Sequence, residues 1–317
     1  MELRSLGGSD IRVAPLMFGG NVFGWTADEK TSFTLLDAFT DAGLNAIDTA
    51  DVYSTWVPGN KGGESETIIG KWLKQKGNRD KVVIATKVGS DMGLGKKCLK
   101  ASYIRTAVED SLRRLQTDYI DLYQSHYDDP ETPVEETLDM YATLVREGKV
   151  RIIGASNFSP ERTLASLEYS AAKNIPAYRT LQPHYNLYDR EGFETTLQPL
   201  AVEHKLSVIP YYSLASGFLT GKYRSEADLG KSARGGGMTK YLNDRGQRIL
   251  KALDEVADQY SVTPATIALA WLKEQPSVTA PIASATSVQQ LEALTKAASL
   301  QLSPEALALL SAASDYR

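Results

Sequence analysis

The most constraining feature of this sequence is a regular alternation between short apolar runs and longer segments with helical spacing of apolar residues. Residues 81–87, for example, are apolar almost to their end, and residues 102–115 then repeat apolar side chains at helical intervals. The short runs are residues 16–18, 45–48, 81–87, 119–124, 150–155, 180–182, 206–211 and 278–282. Eight strands, nearly all separated by helices, predict an α/β fold of the (β/α)8 TIM barrel type.

Additional elements are predicted before the first barrel strand and after the last one. Leu3 and Leu6 lead into a turn signal at residues 7–10, and Ile11 and Val13 lead out of it, which predicts an N-terminal β-hairpin that plugs the bottom of the barrel. Residues 288–298 and 304–313 are predicted as extra C-terminal helices. The 317 residues would allow two domains, but barrels often reach this length, so we expect one domain over residues 1–317.

Composition and charge narrow the functional classes. The net charge is −4 and no basic stripe occurs, so nucleic acid is not an expected partner. Cys98 is the single cysteine, which excludes an internal disulfide and is compatible with a reducing compartment. No apolar run approaches the roughly 20 residues of a membrane helix, and the first residues do not resemble a signal peptide. We therefore expect a cytoplasmic protein without a membrane partner.

Three successive predicted strands each end at an ionisable residue, namely Asp48, Lys87 and His126, and Tyr53 follows the first of them. Each residue taken alone has an ordinary explanation, such as a turn cap, a lysine reaching from a strand end, a core histidine or a loop tyrosine. In a parallel barrel, however, all these strand ends lie on one face, which is where such proteins carry out chemistry. The combination therefore favours a catalytic site.

The four residues suit carbonyl reduction. An ammonium near Tyr53 is expected to lower the pKa of the phenol, and a carboxylate beside Lys87 is expected to keep the lysine charged. A histidine within reach can orient a carbonyl oxygen. Such a set supplies a proton to oxygen while a hydride reaches carbon.

Several other catalytic motifs are absent from the sequence. It contains no complete G-x-G-x-x-G, no Walker A loop, no H-E-x-x-H, no paired C-x-x-C and no G-x-S-x-G. The three histidines lack the spacing of zinc ligands, so no metal site is expected. The longest irregular stretch, residues 213–245, follows the seventh strand, where barrels often bind phosphate.

Several segments together resemble the aldo-keto reductase superfamily over almost the whole chain. They are residues 45–53, 121–126 and 150–159, and residues 217–223 resemble the cofactor loop of bacterial members that are similar to the potassium-channel β subunits. The resemblance implies an NAD(P)H-dependent oxidoreductase that reduces aldehydes and ketones to alcohols. Tyr53 would donate the proton, Lys87 and Asp48 would tune it, and His126 would orient the carbonyl.

The resemblance also implies a set of cofactor-binding residues. These are Gly20, Asn21, Ser156, Asn157, Gln182, Tyr211, Ser213, Leu214, Ser216, Gly217, Leu219, Gly221, Lys222, Arg234, Ser284, Thr286 and Gln290. Tyr211 would stack on the nicotinamide, although it has an alternative interpretation as a rim aromatic. The basic residue often found in the last of these loops is absent, and Ala293 and Leu294 replace its usual acid–amide pair. NADPH is still favoured because the family mostly uses it, with NADH left open.

Phe23, Trp25, Trp56 and Tyr127 are the expected walls of the substrate pocket, although each could equally be loop packing. Aromatic walls suit aldehydes and small ketones.

Two other functions stay open on the sequence alone. One is a nucleotide-binding redox sensor or regulatory subunit with little turnover, and the other is an aldolase in which Lys87 forms a Schiff base. The aldolase requires a neutral lysine, which Asp48 opposes. The sequence leaves oligomerisation open.

Overall fold

The sheet of this protein is parallel and has eight strands, preceded by a small hairpin. The structure, a computed structural model, describes residues 1–232 and 235–317. The hairpin strands β1 (Arg4–Ser5) and β2 (Arg12–Val13) pair antiparallel. The other strands are β3 (Met17–Gly19), β4 (Ala46–Asp48), β5 (Val83–Val88), β6 (Ile120–Ser125), β7 (Val150–Ser156), β8 (Tyr178–Gln182), β9 (Ser207–Val208) and β10 (Ile282–Ala283). Their order in the sheet is β10-β3-β4-β5-β6-β7-β8-β9.

Hydrogen bonds between the two outermost strands close the sheet. The backbone N–H of Val208 donates to Ser277 at 2.8 Å, and the N–H of Thr279 donates to Val208 at 2.8 Å. Further along, the N–H of Ile282 donates to Pro210 at 3.0 Å. These bonds join β9 to the segment that leads into β10, so the expectation of a (β/α)8 barrel is confirmed.

Helices surround the barrel. Their bounds are α1 (Glu29–Asp41), α2 (Glu64–Lys76), α3 (Ala101–Leu115), α4 (Val134–Arg146), α5 (Pro160–Lys173), α6 (Glu191–Glu194), α7 (Leu197–Glu203), α8 (Asp244–Tyr260), α9 (Pro264–Lys273), α10 (Val288–Ser299) and α11 (Pro304–Ala313). Three of them begin with a hydroxyl cap followed by proline, because the cap oxygen accepts an otherwise unpaired N–H and proline has none to lose. The caps are Ser159, Thr263 and Ser303.

The N-terminal hairpin seals the amino-terminal end of the barrel. Its buried side chains Leu6, Ile11 and Val13 pack into one cluster with inward-facing strand residues such as Leu122. Asn45, just before β4, fixes the hairpin by accepting from the N–H of Ala14 at 2.9 Å and donating to a hairpin carbonyl. The predicted plug is therefore present, and the opposite end of the barrel is left for a ligand.

Some boundaries differ from those predicted. The seventh strand is shorter than the predicted residues 206–211, and the eighth strand shares only Ile282 with the predicted residues 278–282. Pro210 and Pro281 have no N–H for the strand ladder, which interrupts regular pairing in both segments. The segment of residues 191–203 contains two helices, α6 and α7, in place of one continuous helix. Between them, the hydroxyls of Thr195 and Thr196 donate to backbone carbonyls and compete with continued helical bonding.

The segment expected to be irregular after β9 contains three short 3-10 helices among its described residues. They are Ala215–Thr220, Glu226–Lys231 and Gly235–Tyr241. Across the described parts of the chain, no helix combines the length and the apolar character that crossing a membrane requires. The same residues contain no cluster of His, Cys, Asp and Glu that could hold a metal ion.

Candidate active site

Asp48, Tyr53 and Lys87 form one hydrogen-bonded group at the carboxyl end of the barrel. The Lys87 ammonium donates to Asp48 Oδ2 at 2.7 Å, to the carbonyl of Thr49 at 2.7 Å and to the Tyr53 hydroxyl at 2.9 Å. An ammonium has three hydrogens, so these acceptors account for all of them. Asp48 is on β4 and Lys87 is on β5. These two strands pair in parallel, so both residues lie at the same end of the barrel.

The Asp48 carboxylate is buried but well supplied with donors. Besides Lys87, it accepts from Gln182 Nε2 at 2.9 Å, and the Gln124 amide lies 3.4 Å away. The Tyr53 hydroxyl is also 3.4 Å from Asp48 Oδ2. A buried charge is tolerated when it is paired and hydrogen-bonded in this way. Asp48 and Lys87 therefore form a fixed buried ion pair beneath the tyrosine.

His126 follows β6 directly and faces the same space. Its ring lies 6.0 Å from the Tyr53 ring, between centroids, and Nδ1 is 3.0 Å from the Ser90 hydroxyl. If Ser90 donates to Nδ1, the proton of a neutral imidazole resides on Nε2. The arrangement leaves Nε2 as the ring nitrogen that can donate to a ligand.

Burial controls the protonation of this group. It raises the pKa of Tyr53 well above its usual value of 10, and the Asp48 carboxylate raises it further. The expectation that the Lys87 ammonium lowers the pKa of Tyr53 stays a prediction, because the net shift in this arrangement is upward and follows from burial and the carboxylate. Burial lowers the pKa of Lys87, against the effect of Asp48, and lowers that of His126 well below 6.5. Tyr53 therefore holds its proton, and His126 is neutral.

A long cleft of about 1050 Å³ opens over these residues. It is lined by most of the residues that sequence analysis selected. They are Asp48, Tyr53 and His126; Asn21, Ser156, Asn157, Gln182, Tyr211, Ser213, Leu214, Ser216, Gly217, Lys222, Ser284, Thr286 and Gln290; and Trp25, Trp56 and Tyr127. Loops after different strands thus contribute to one continuous site.

Five selected residues are placed elsewhere or not described. Phe23 is fully buried and stacks on Phe18 at 5.2 Å, so it is part of the core rather than a pocket wall. Leu219 is likewise buried in the core. Gly20 and Gly221 do not line the cleft; Gly20 lies against Ser65 and the Asp48 carbonyl, and Gly221 has a left-handed conformation that ends a 3-10 turn. Arg234 lies outside the described residues.

One group of lining residues could hold a flat ring that carries an amide. Ser156, Asn157 and Gln182 present amide and hydroxyl groups at the ends of β7 and β8, and Tyr211 presents its ring beside them. The Tyr211 hydroxyl donates to Asn157 Oδ1 at 2.8 Å, and Asn157 Nδ2 donates to the His126 carbonyl at 2.9 Å. These bonds hold an aromatic face and polar groups in a fixed relation, as an amide-bearing flat ring requires.

A second group of lining residues could hold phosphates and polar groups of a nucleotide. Gly217 has a φ of +104°, and an added Cβ there would lie 3.3 Å from the Lys222 side chain, so the glycine allows this lysine to fold over the loop. Ser284 donates to Asn21 Oδ1 at 2.6 Å across the cleft. Thr286 donates through its N–H and its hydroxyl to Gln290. Hydroxyls and an ammonium are suitable donors to phosphate.

Sequence analysis missed some residues that line the cleft. Ser90, Lys97, Tyr212 and Lys231 are examples. Ser90 had a detectable signal, since it follows β5 three positions after Lys87, on the face where the barrel carries its site. Lys97 lies in an irregular segment and Lys231 ends a short 3-10 helix, and in neither place does the sequence indicate which way a side chain points.

With this geometry in view, comparison with known proteins identifies the class. The sequence model of the Aldo/keto reductase family matches residues 15–315. The chain belongs to this family. It is therefore an oxidoreductase of a class that uses a nicotinamide cofactor and acts on small carbonyl compounds.

Individual relatives align along nearly their whole length. Aldo-keto reductase YhdN of Bacillus subtilis (strain 168) is 37% identical over 303 residues, covering 94% of this chain and 87% of that protein. Protein tas of Escherichia coli (strain K12) is 31% identical over 339 residues, covering 98% and 97%. A probable voltage-gated potassium channel subunit beta of Arabidopsis thaliana is 31% identical over 305 residues, covering 94% and 91%.

Proposed function

We propose that the protein is an NADPH-dependent reductase of aldehydes and ketones, with Tyr53 as the proton donor. The observation that carries the proposal is the Tyr53 hydroxyl, which lines the cleft and accepts a 2.9 Å hydrogen bond from Lys87. A phenol placed beside a fixed ammonium at the floor of a cofactor-sized cleft suits protonation of a developing alkoxide.

The protonation states support this direction of transfer. Because its pKa is raised, Tyr53 keeps its proton until a strongly basic oxygen forms beside it. A bound nicotinamide would supply hydride to the carbonyl carbon. Tyr53 would give its proton to the oxygen as the C=O electron pair moves onto it, and the phenolate left behind would accept the hydrogen bond of the Lys87 ammonium. The products are an alcohol and the oxidised cofactor.

The other two residues have positioning roles in the proposal. Asp48 holds the ammonium of Lys87 at 2.7 Å, which keeps it charged and directed at the phenol. His126 is neutral because burial lowers its pKa, so it can donate from Nε2 to the carbonyl oxygen. Two donors converging on one oxygen polarise the carbonyl and fix its orientation.

The cofactor would be held along the whole cleft. Ser156, Asn157 and Gln182 would bind its carboxamide, and Tyr211 would cover its ring. Gln182 currently donates to Asp48 at 2.9 Å, so it would couple cofactor binding to the buried ion pair. Gly217 and Lys222 would contact the phosphates, and Ser284, Thr286 and Gln290 the adenosine end.

Charge favours NADPH over NADH in this proposal. Lys222 and Lys231 both line the phosphate end of the cleft. The described residues lining the adenosine end include hydroxyls and amides but no carboxylate, the group that commonly binds a ribose 2′-hydroxyl in NAD sites. A 2′-phosphate would therefore meet donors and no like charge.

The aldolase alternative conflicts with the contacts of Lys87. Its nitrogen has three acceptors within 2.9 Å and no exposed surface, whereas Schiff-base formation needs an accessible lone pair. The sensor alternative keeps a specific motivation in the similarity to a potassium-channel β subunit. It predicts tight cofactor binding with very slow turnover.

The test compares the wild type with Tyr53→Phe, following NADPH absorbance with 4-nitrobenzaldehyde and cofactor binding by tryptophan fluorescence. We expect the variant to lose about 10²- to 10⁴-fold in kcat, the usual effect of a general acid, with its cofactor affinity kept. Full activity in the variant would exclude Tyr53 as the donor. Binding without turnover in the wild type would favour the sensor, and absence of binding would remove the cofactor assignment.

A further inference from the structure

The substrate end of the cleft is aromatic and carries one lysine. Trp25 and Trp56 pack edge to face at 5.7 Å between ring centroids, and Trp56 also contacts the Tyr53 ring. Tyr127 lines the same region, and so does Lys97. Aromatic walls alone would favour any apolar substrate. A lysine among them additionally favours a substrate that carries a negative charge.

Lys97 is connected to the reacting end through one ring. Its ammonium lies 4.3 Å from the centre of the Tyr127 ring, and that ring stacks on His126 at 5.0 Å and 20°. A cation over an aromatic face is held by the charge distribution of the ring. The ammonium is therefore fixed one ring away from the imidazole that faces the carbonyl.

No carboxylate of the described residues pairs with Lys97. Its neighbour Lys96, in contrast, forms an ion pair with Glu131 at 2.5 Å. Asp91 also lines this part of the cleft, but its Oδ1 accepts from the N–H groups of Gly93 and Gly95 and stabilises its own loop. The cation at the substrate end thus has an aromatic support and no carboxylate partner among the described residues.

We propose that the substrate carries a carboxylate at the end remote from its carbonyl and that Lys97 binds this carboxylate. The proposal rests on the proposed reductase function. In such a substrate an aromatic ring separates the carbonyl, at His126, from the carboxylate, at Lys97. A charge-assisted hydrogen bond forms there, in a site with aromatic walls that exclude part of the water.

The experiment compares two substrates that differ only in charge, 4-formylbenzoate and its methyl ester. We expect the wild type to prefer the acid by kcat/KM. In Lys97→Gln the acid-to-ester ratio should fall about 10- to 100-fold, the factor that a charged hydrogen bond represents. Lys97→Arg should retain most of the ratio. Lys96→Gln is the matched control, because it removes a neighbouring charge that is already paired, and its ratio should equal that of the wild type.

Two results overturn the inference while leaving the reductase function intact. One is a wild type without preference for the acid, and the other is an equal loss for both substrates in Lys97→Gln, which indicates a structural role only. If neither aldehyde is reduced, the reductase proposal itself fails. Binding of 4-formylbenzoate measured by tryptophan fluorescence then decides the role of Lys97: weaker binding in Lys97→Gln supports it, and equal binding rejects it.

Discussion

The ammonium of Lys87 lies 2.7 Å from the carboxylate of Asp48, and neither side chain has appreciable contact with solvent. Each charge therefore depends on the other, since an unpaired charge in such a place is costly. The same contact holds the ammonium against Tyr53. The contact between Asp48 and Lys87 therefore contributes both to the stability of the fold and to the proposed catalysis.

Replacing one member of this ion pair should lower the stability of the protein more than replacing both. We expect Lys87→Met to lower the free energy of unfolding by about 3–5 kcal/mol, because it leaves Asp48 buried without its partner. The double variant Asp48→Asn with Lys87→Met should recover most of this loss and remain inactive. Urea unfolding and NADPH oxidation measure the two effects. Lys71→Met is the control, because it breaks an exposed pair with Glu29 and should cost at most about 1 kcal/mol.

Asp51 predicts a pH dependence of stability. It is 3% exposed, and its Oδ1 has no hydrogen-bond partner among the residues that the structure describes. Burial, followed by the nearby Glu66, raises its pKa from 3.8 to about 8, against Arg114 and Lys87. From about pH 4 to about pH 8 the unfolded chain releases a proton that the folded protein keeps. Stability therefore falls as the pH rises through this window.

Asp51→Asn isolates this contribution. We expect the variant to gain stability relative to the wild type by up to about 1.4 kcal/mol for each pH unit across the window. Urea unfolding at several pH values measures the difference. A constant difference between the two proteins would show that Asp51 does not retain its proton on folding.

Phe23 and Trp56 should behave in opposite ways, although both are aromatic and close to the site. Phe23 has 0% exposure, so Phe23→Ala should cost about 3–5 kcal/mol of stability through the cavity it leaves. Trp56 is 46% exposed and lines the cleft, so Trp56→Ala should raise KM for aromatic aldehydes with little change in unfolding. Thermal unfolding and steady-state kinetics on both variants make the comparison. An unstable Trp56 variant with unchanged KM would reverse the assignment.

Lys222 should contribute to cofactor selection. Lys222→Gln is expected to weaken NADPH binding about 10-fold, by loss of a charged hydrogen bond to the 2′-phosphate, and to narrow the preference over NADH, which has no such phosphate. Fluorescence titration with both cofactors measures this ratio. Lys240→Gln serves as the control because Lys240 is exposed and does not line the cleft. If both variants leave the ratio unchanged, Lys222 does not discriminate between the two cofactors.

Sequence alone predicted the barrel and much of the site because both follow from local regularities. Apolar runs that end in Asp48, Lys87 and the residue before His126 specify strands, and parallel strands bring their ends to one face. The pattern could not show that burial would raise the pKa of Tyr53, since desolvation depends on everything packed around the group. It also assigned Phe23 to the pocket, because an apolar loop residue beside a site can point either way.

The side chains beyond the strand ends were harder to predict for a related reason. Lys97 and Lys231 lie in segments without a repeating pattern, so their direction is set by contacts such as the Tyr127 ring and Asp228. Only the three-dimensional arrangement shows that the two lysines reach the cleft.

The hairpin at the amino-terminal end of the barrel has a practical consequence for attaching this protein to surfaces. Leu6, Ile11 and Val13 anchor the start of the chain on the side opposite the cleft. A linker fused ahead of Arg4 emerges on that side, so an electrode or bead coupled through it leaves the mouth of the cleft directed toward bulk solution. Immobilised molecules would then share one orientation with unobstructed diffusion of both reactants.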